Sequence, residues 1–99
     1  MSYPLTILTP EGPVFNGDVD ALTVVAYEGS LGVLAGHAPM LSAVREGVGK
    51  VTVNGQAKWY VLGEGTLEVR PPRAILLLDY ANAVASEAEA KALLAKDAE

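Results

Sequence analysis

Three glycines, one proline and the only histidine of the chain fall within the stretch Glu28-Gly29-Ser30-Leu31-Gly32-Val33-Leu34-Ala35-Gly36-His37-Ala38-Pro39-Met40. Gly29, Gly32 and Gly36 permit a positive φ or a close approach of another backbone. Pro39 fixes its own φ and disfavours the helical region for Ala38. Because the apolar residues between them follow no helical period, the stretch predicts a non-repetitive path of fixed geometry. Such a path packs either as core or as a contact surface.

Short apolar runs separated by turn residues lie on both sides of this stretch. The predicted strands are Leu5–Thr9, Val14–Asp20, Ala21–Ala26, Leu41–Val44, Val48–Val53, Ala57–Leu62, Thr66–Arg70 and Ala74–Asp79. Short strands with regularly spaced turn signals are typical of all-β domains. The fold class predicted is mainly β, a β-sandwich or flattened barrel of about ten short strands, followed by one short C-terminal helix.

The dipeptide Asn54-Gly55 is a strong hairpin signal, but it permits two registers. A two-residue loop places Val51 opposite Lys58, whereas a three-residue loop places Val51 opposite Trp59. A slip of one residue moves every side chain to the other face of the sheet. The three-residue loop keeps apolar side chains together, and we therefore predict that register.

The composition changes at Ala81, after which the chain is rich in alanine and has no glycine or proline. Ser86-Glu87-Ala88-Glu89 matches a capping box, and Glu87 with Lys91 forms an i,i+4 pair. A helix is predicted from about Ser86 to Asp97, near the length at which isolated helices are marginal in water. The predicted domains are a sandwich over residues 1–83 and a short helical segment over residues 84–99.

Composition limits the possible partners of the 99-residue chain. Its net charge of -5 disfavours nucleic acid and anionic lipid. It has no cysteine, which excludes disulfides and thiolate metal sites. The N-terminus lacks the pattern of a signal peptide, and the longest aliphatic run, Ala74–Leu78, is too short to span a bilayer. Membrane association is therefore expected only through a protein partner.

Catalytic chemistry has little support in the sequence. His37 has no adjacent nucleophile, and the carboxylates follow no metal-ligand spacing. The pairs Gly47/Gly49 and Gly63/Gly65 are not followed by a helix, so they indicate hairpin turns rather than phosphate loops. We predict no catalytic residue, cofactor or metal site. A small enzyme that uses His37 is the less favoured alternative.

The central stretch resembles the signature of the epsilon subunit of F-type ATP synthases, although that family typically has a proline at Ala35 and an acid at Ser30. Further matches are Leu5-Thr6-Ile7-Leu8-Thr9-Pro10-Glu11-Gly12, Phe15-Asn16-Gly17-Asp18-Val19 and Gly63-Glu64-Gly65-Thr66-Leu67-Glu68-Val69. The resemblance covers roughly residues 3–81. It does not extend to the ATP site of some members, because the nearest segment, Asp79–Ala83, lacks arginine.

The resemblance implies a non-catalytic subunit of the central stalk, which couples the ion-driven c-ring to the gamma subunit and the catalytic head. The residues implied to contact the c-ring are Glu28, Gly29, Ser30, Leu31, Gly32 and Val33. Those implied to contact gamma are Thr9, His37, Ala38, Pro39, Met40 and Ser42. The implied location is the cytoplasmic face of a bacterial plasma membrane, with a thylakoid membrane as the other possibility.

Family members usually continue into a hairpin of two helices that inhibits ATP hydrolysis, whereas this sequence offers one helix. We expect no inhibition of the extended-hairpin kind from this chain. An alternative of another class is a free-standing sandwich that binds a small ligand or a peptide. That alternative predicts a monomer with a concave pocket and no affinity for gamma.

Overall fold

A computed structural model describes residues 1–97, which form ten strands and one helix. The strands are β1 (Tyr3–Thr9), β2 (Gly12–Val19), β3 (Ala21–Ala26), β4 (Gly29–Leu34), β5 (Met40–Val44), β6 (Gly47–Val53), β7 (Gln56–Leu62), β8 (Gly65–Arg70), β9 (Arg73–Leu78) and β10 (Ala81–Val84), and the helix is α1 (Glu87–Asp97). The predicted fold class is confirmed. The predicted division at residue 83 stays a prediction.

The strands follow the order β10-β7-β6-β3-β5-β8-β9-β1-β2, and β4 pairs with β3 outside this path. All pairs are antiparallel except β1 with β9. β3 joins the two halves of this strand order. Its first half pairs with β6, and its last residue, Ala26, pairs with Val44 of β5. Alternate strand residues fill the core, as Tyr3, Leu5 and Ile7 do in β1.

The prediction of a non-repetitive path over Glu28–Met40 is wrong for its first half. Gly29–Leu34 is the strand β4, paired along its whole length with β3. The chain reverses at Tyr27 and Glu28, and Gly29 completes the turn with a φ of 122°, a conformation that side chains rarely permit. The irregular path is confined to residues 35–39, where Gly36 has a φ of 83°. The strand β10 was also not predicted from the sequence.

The predicted hairpin register is wrong as well. Val51 lies opposite Lys58 and Val53 opposite Gln56, so the loop has two residues. Both loop residues have positive φ, 52° at Asn54 and 78° at Gly55, as the favoured two-residue hairpin turn requires. Lys58 is accommodated because its ammonium nitrogen lies 5.8 Å from the centroid of the Phe15 ring, outside the core.

The helix α1 begins with the predicted cap, because the Ser86 hydroxyl accepts a hydrogen bond from the Glu89 amide at 3.1 Å. The Glu89 carboxylate accepts from the Ala85 amide at 2.9 Å, one residue earlier than in the predicted capping box. The predicted pair of Lys91 with Glu87 is present at 3.6 Å. Ala90 is buried where α1 packs against β6, β7 and β10.

Gly65 lies at a crowded position, and its replacement tests how tightly β8 and β9 pack. An added Cβ would overlap the backbone carbonyl of Leu77, which cannot rotate away. We expect Gly65→Ala to lower the free energy of unfolding by about 1–3 kcal/mol, as other overpacked substitutions do. Denaturant titration measures the loss, and Gly32→Ala, whose Cβ meets open space, is the matched control. Equal stability of the two variants would contradict the packing seen at Gly65.

Candidate functional site

An open groove of about 600 Å³ lies between the β3–β4 turn and β5. One wall is formed by the end of β3, the turn and the start of β4, and the other by the first four residues of β5. The lining residues are Ala26, Tyr27, Glu28, Gly29, Ser30, Leu31, Met40, Leu41, Ser42 and Ala43. The groove thus brings together two segments that lie on opposite sides of the irregular loop in sequence.

The residues expected to face the c-ring follow the first wall and continue along β4. Glu28 and Gly29 are exposed at the turn. In β4, Ser30, Gly32 and Leu34 are exposed, whereas Leu31 is half-buried and Val33 is buried. This alternation means that Val33 contributes to the core, and the accessible part of the predicted set is the turn with the outer face of β4.

The residues expected to face gamma do not form one patch. Met40 and Ser42 lie on the second wall of the groove, and residues 37–39 form the loop that leads into it. Thr9 lies elsewhere, beside Pro10, Gly65 and Leu77 in a second cavity of about 370 Å³. The Thr9 hydroxyl bonds within the turn that follows β1, because it accepts a hydrogen bond from the Glu11 amide at 3.2 Å.

His37 is held by backbone groups. Its amide donates to the Leu34 carbonyl at 3.1 Å, and its ring Nδ1 lies 2.7 Å from the Ala38 carbonyl, to which it donates. Both contacts are local to residues 34–38, and the enzyme alternative gains no orienting carboxylate from this arrangement. Within residues 1–97, no three His, Cys, Asp or Glu side chains are grouped so that they could hold a metal ion.

One exposed apolar side chain at the groove, and one at the far end of β4, were not predicted from the sequence. Leu41 lies between Met40 and Ser42 and is 75% exposed, and Leu34 at the end of β4 is 65% exposed. Strand alternation was the available signal, since it places Leu41 on the face opposite to its two neighbours. Tyr27 is also exposed, with the Arg45 guanidinium 5.5 Å from the centroid of its ring.

Tyr3 connects β4 to the rest of the sandwich. Its hydroxyl donates a hydrogen bond to the Val33 carbonyl at 2.8 Å, and the side chain is buried. Burial disfavours the phenolate and raises the pKa of Tyr3 from 10.0 to about 12. Burial also raises the pKa of Tyr60 in β7. Protonated Tyr3 thus adds a hydrogen bond to β4 beyond those that β4 makes with β3.

Alkaline pH should therefore destabilise the fold through Tyr3. The folded state holds this proton more tightly than the unfolded state, so the contribution is complete below pH 10 and is lost as the pH rises towards 12. Tyr3→Phe should be less stable at neutral pH, by about 0.5–1.5 kcal/mol for the lost hydrogen bond, but should decline less steeply above pH 10. Denaturant midpoints across this range measure both effects. Parallel declines for the two proteins would contradict the assignment.

The fold and the groove define the chain as a small β-sandwich with a helix after its last strand and an open groove beside the β3–β4 turn. The family model described as "ATP synthase, Delta/Epsilon chain, beta-sandwich domain" matches residues 2–84. The chain belongs to this family, and the resemblance noted in its sequence is confirmed. No helix among residues 1–97 has both the length and the apolar character needed to cross a membrane.

Curated relatives and solved structures agree with this assignment. The chain is 35% identical over 92 residues to the ATP synthase epsilon chain of Bacillus velezensis, covering 93% of this chain and 70% of the relative. It is 37% identical over 73 residues to that of Bacillus pumilus, covering 74% of this chain and 56% of the relative.

Among solved structures, a chain in the OSCP/F1/c-ring structure of the Euglena gracilis mitochondrial ATP synthase superposes with a TM-score of 0.79 at 26% identity. The superposition covers 98% of this chain and 64% of the Euglena chain. A chain in the central stalk/c-ring structure of the Tetrahymena thermophila enzyme superposes with a TM-score of 0.71, covering 99% of this chain and 90% of that one. At 14% identity, the Tetrahymena match shows the fold alone.

Proposed function

We propose that the chain is a non-catalytic subunit of the central stalk of a rotary ATP synthase, where it couples the c-ring to the gamma subunit. Family membership over residues 2–84 is the observation that carries the proposal. The likeness to a chain of the Euglena F1/c-ring assembly gives further support. In this role the sandwich acts as a rigid body that transmits torque between two partners.

The groove suggests how the two partners are arranged. We assign the polar loops of the c-ring to the β3–β4 turn and the outer face of β4, where Glu28, Ser30 and Gly32 are exposed. We assign gamma to the loop of residues 37–39 together with Met40 and Ser42 on the opposite wall. Thr9 would add a separate contact with gamma from the second cavity. The two partners would then meet the sandwich on adjacent surfaces.

The proposed location follows from the partners. The chain would sit at the cytoplasmic face of a bacterial plasma membrane and would be held there by the c-ring and gamma. Its acidic surface, with a net charge of -5, disfavours direct attachment to anionic lipid. The curated relatives named above are from Bacillus species, which favours this membrane over a thylakoid.

Reconstitution tests the proposal directly. The chain is added to membranes that carry the same organism's ATP synthase without its epsilon subunit, and bound chain and ion-driven ATP synthesis are measured. We expect the chain to co-sediment with the enzyme and to raise synthesis severalfold. If the chain binds neither gamma nor the c-ring, the proposal is contradicted. That result would favour the free-standing binding module, for which the groove would be the ligand site.

A further inference from the structure

Two arginines lie directly opposite each other at the end of the β8–β9 hairpin. β8 ends at Arg70 and β9 begins at Arg73, and the two residues are partners across the turn Pro71-Pro72. Side chains in such a pair lie on one face of the sheet with Cβ atoms about 4.5–5.5 Å apart, where like charges repel. Both arginines are exposed. The hairpin thus holds two guanidinium groups side by side in a chain whose net charge is -5.

Only one of these two charges is neutralised within the chain. Arg70 donates a hydrogen bond to the Glu68 carboxylate at 2.9 Å. Within residues 1–97, Arg73 has neither a carboxylate nor an aromatic ring as a partner. The three other lysines and arginines of residues 1–84 each lie 5.4 to 5.8 Å from the centroid of an aromatic ring. The end of this hairpin therefore carries a positive charge that the fold leaves without a partner.

An open cavity of about 340 Å³ adjoins the two arginines. It is lined by Glu68, Arg70, Pro71, Pro72, Arg73 and Ile75. Because proline fixes its own φ, the two turn residues hold the arginines at a set spacing. The volume falls at the small end of the range of ligand cavities, which is about 300–1,000 Å³. The hairpin end thus combines a concave shape, a stiff turn and an unpartnered cation.

The chemistry of the two side chains indicates which anion fits. The planar fork of a guanidinium matches the oxygens of a carboxylate or a phosphate. A carboxylate has one charge and satisfies one arginine, as Glu68 does for Arg70. A phosphate group carries a charge of about -1.5 to -2 at pH 7 and three acceptor oxygens, so it can accept from both forks. Because exposed ion pairs contribute little free energy, a phosphate group can displace Glu68 from Arg70.

We propose that Arg70 and Arg73 form a binding site for the phosphate group of a soluble compound. The bound phosphate offsets the repulsion between the two guanidinium groups and accepts hydrogen bonds from both. A soluble compound fits better than a lipid headgroup, because the net charge of -5 repels an anionic membrane surface. Neither arginine belongs to the surfaces assigned above to the c-ring or gamma, so this inference does not depend on the proposed function.

Titration of the full chain with inorganic phosphate, at constant ionic strength and followed by NMR of the arginine side chains, tests the site. We expect saturable shifts of the Arg70 and Arg73 signals. Arg73→Gln should bind phosphate about tenfold more weakly or worse, as expected when hydrogen bonds to a charged group are lost. Lys58→Gln removes the same charge at another exposed position and should bind as the unsubstituted chain does. Absence of saturable binding, or equal affinities of the two variants, would overturn the inference.

A third variant tests whether both arginines take part. Glu68→Gln removes the carboxylate that competes for Arg70, so this variant should bind inorganic phosphate severalfold more tightly than the unsubstituted chain. Nonspecific screening of surface charge would not distinguish Glu68 from other exposed carboxylates, and Glu87→Gln in α1 is the matched control. Unchanged or weaker binding by Glu68→Gln would show that phosphate does not displace the carboxylate, and would overturn the site of two arginines.

Vesicle flotation distinguishes the two sources of a phosphate group. The chain is mixed with phosphatidylcholine vesicles that contain phosphatidic acid, whose headgroup is a phosphate monoester, and with vesicles of phosphatidylcholine alone. We expect neither preparation to retain the chain, because its net charge opposes approach to an anionic surface. Retention by the phosphatidic acid vesicles that is lost in Arg73→Gln would overturn the soluble source and assign the phosphate to a lipid.

Discussion

Gly32→Val is expected to weaken assembly of the chain with the c-ring by about tenfold or more, equivalent to about 1.4 kcal/mol of binding free energy, while leaving its stability unchanged. Gly32 lies on the outer face of β4, between the exposed residues Ser30 and Leu34. A Cβ at this position meets no atom of the chain, and its φ is not positive. Valine also favours strands, so the substitution does not disturb the fold.

The loss of binding follows from the shape of this face. Without a side chain at Gly32, the backbone of β4 is open to close approach by a polar loop of the ring. An isopropyl group would hold that loop away and leave its polar groups without their partners. Co-sedimentation with epsilon-depleted membranes measures the assembly, and thermal unfolding of the free chain measures the stability.

Two further variants show whether a loss of assembly is specific to the outer face of β4. Glu87→Ala changes an exposed residue of α1, away from the proposed ring surface, and should assemble as the unsubstituted chain does. Gly36→Val should weaken assembly more than Glu87→Ala, but it forces a β-branched residue to a φ of 83°, a strain of about 1–3 kcal/mol, and so lowers stability too. Assembly of Gly32→Val at the level of Glu87→Ala would remove the outer face of β4 from the ring contact.

The glycines of β4 explain why this strand could not be predicted from the sequence, whereas the strands around it could. The flanking strands were predictable because β-branched and aliphatic residues recur between clear turns, and Ala21–Ala26 was placed at its observed bounds. In β4, Gly29 and Gly32 provide no side chains, so the alternation of Leu31 and Val33 with exposed residues was hidden. A strand was therefore interpreted as an irregular path.

The hairpin register was predicted wrongly and the groove was not predicted, for different reasons. Lys58 looked incompatible with a position opposite Val51, but a long side chain can leave the core and place its charge over an aromatic ring such as that of Phe15. The groove depends on how far Met40–Ala43 of β5 lie from β3 before the two strands pair at Val44, which is a matter of tertiary arrangement. Six of the ten lining residues, Glu28 to Leu31 with Met40 and Ser42, belong to the sets that the family resemblance implies, whereas the meeting of the two walls across one groove was not predictable.

Ala90 is buried in the contact of α1 with the sandwich, and Ala90→Asp is expected to unfold the helix completely. Ala90 is fully buried, Leu94 is half-buried and Leu93 is 40% exposed, so few apolar groups hold the 11-residue helix on the sandwich. An unpaired carboxylate in this apolar contact carries a large desolvation cost. Undocking relieves that cost, and a free helix of this length is marginal in water.

Circular dichroism should therefore show loss of the helical signal in Ala90→Asp, while the unfolding midpoint of the sandwich changes little because its core lies in the strands. Ala92→Asp is the matched control, since it makes the same replacement in α1 at an exposed position and should keep most of the helix. Binding of gamma should be equal in both variants, because α1 packs on β6, β7 and β10, and the groove is formed by β3, β4 and β5. A helix that persists in Ala90→Asp would show that contacts other than Ala90 hold α1, and a loss of gamma binding would show that the helix supports the groove.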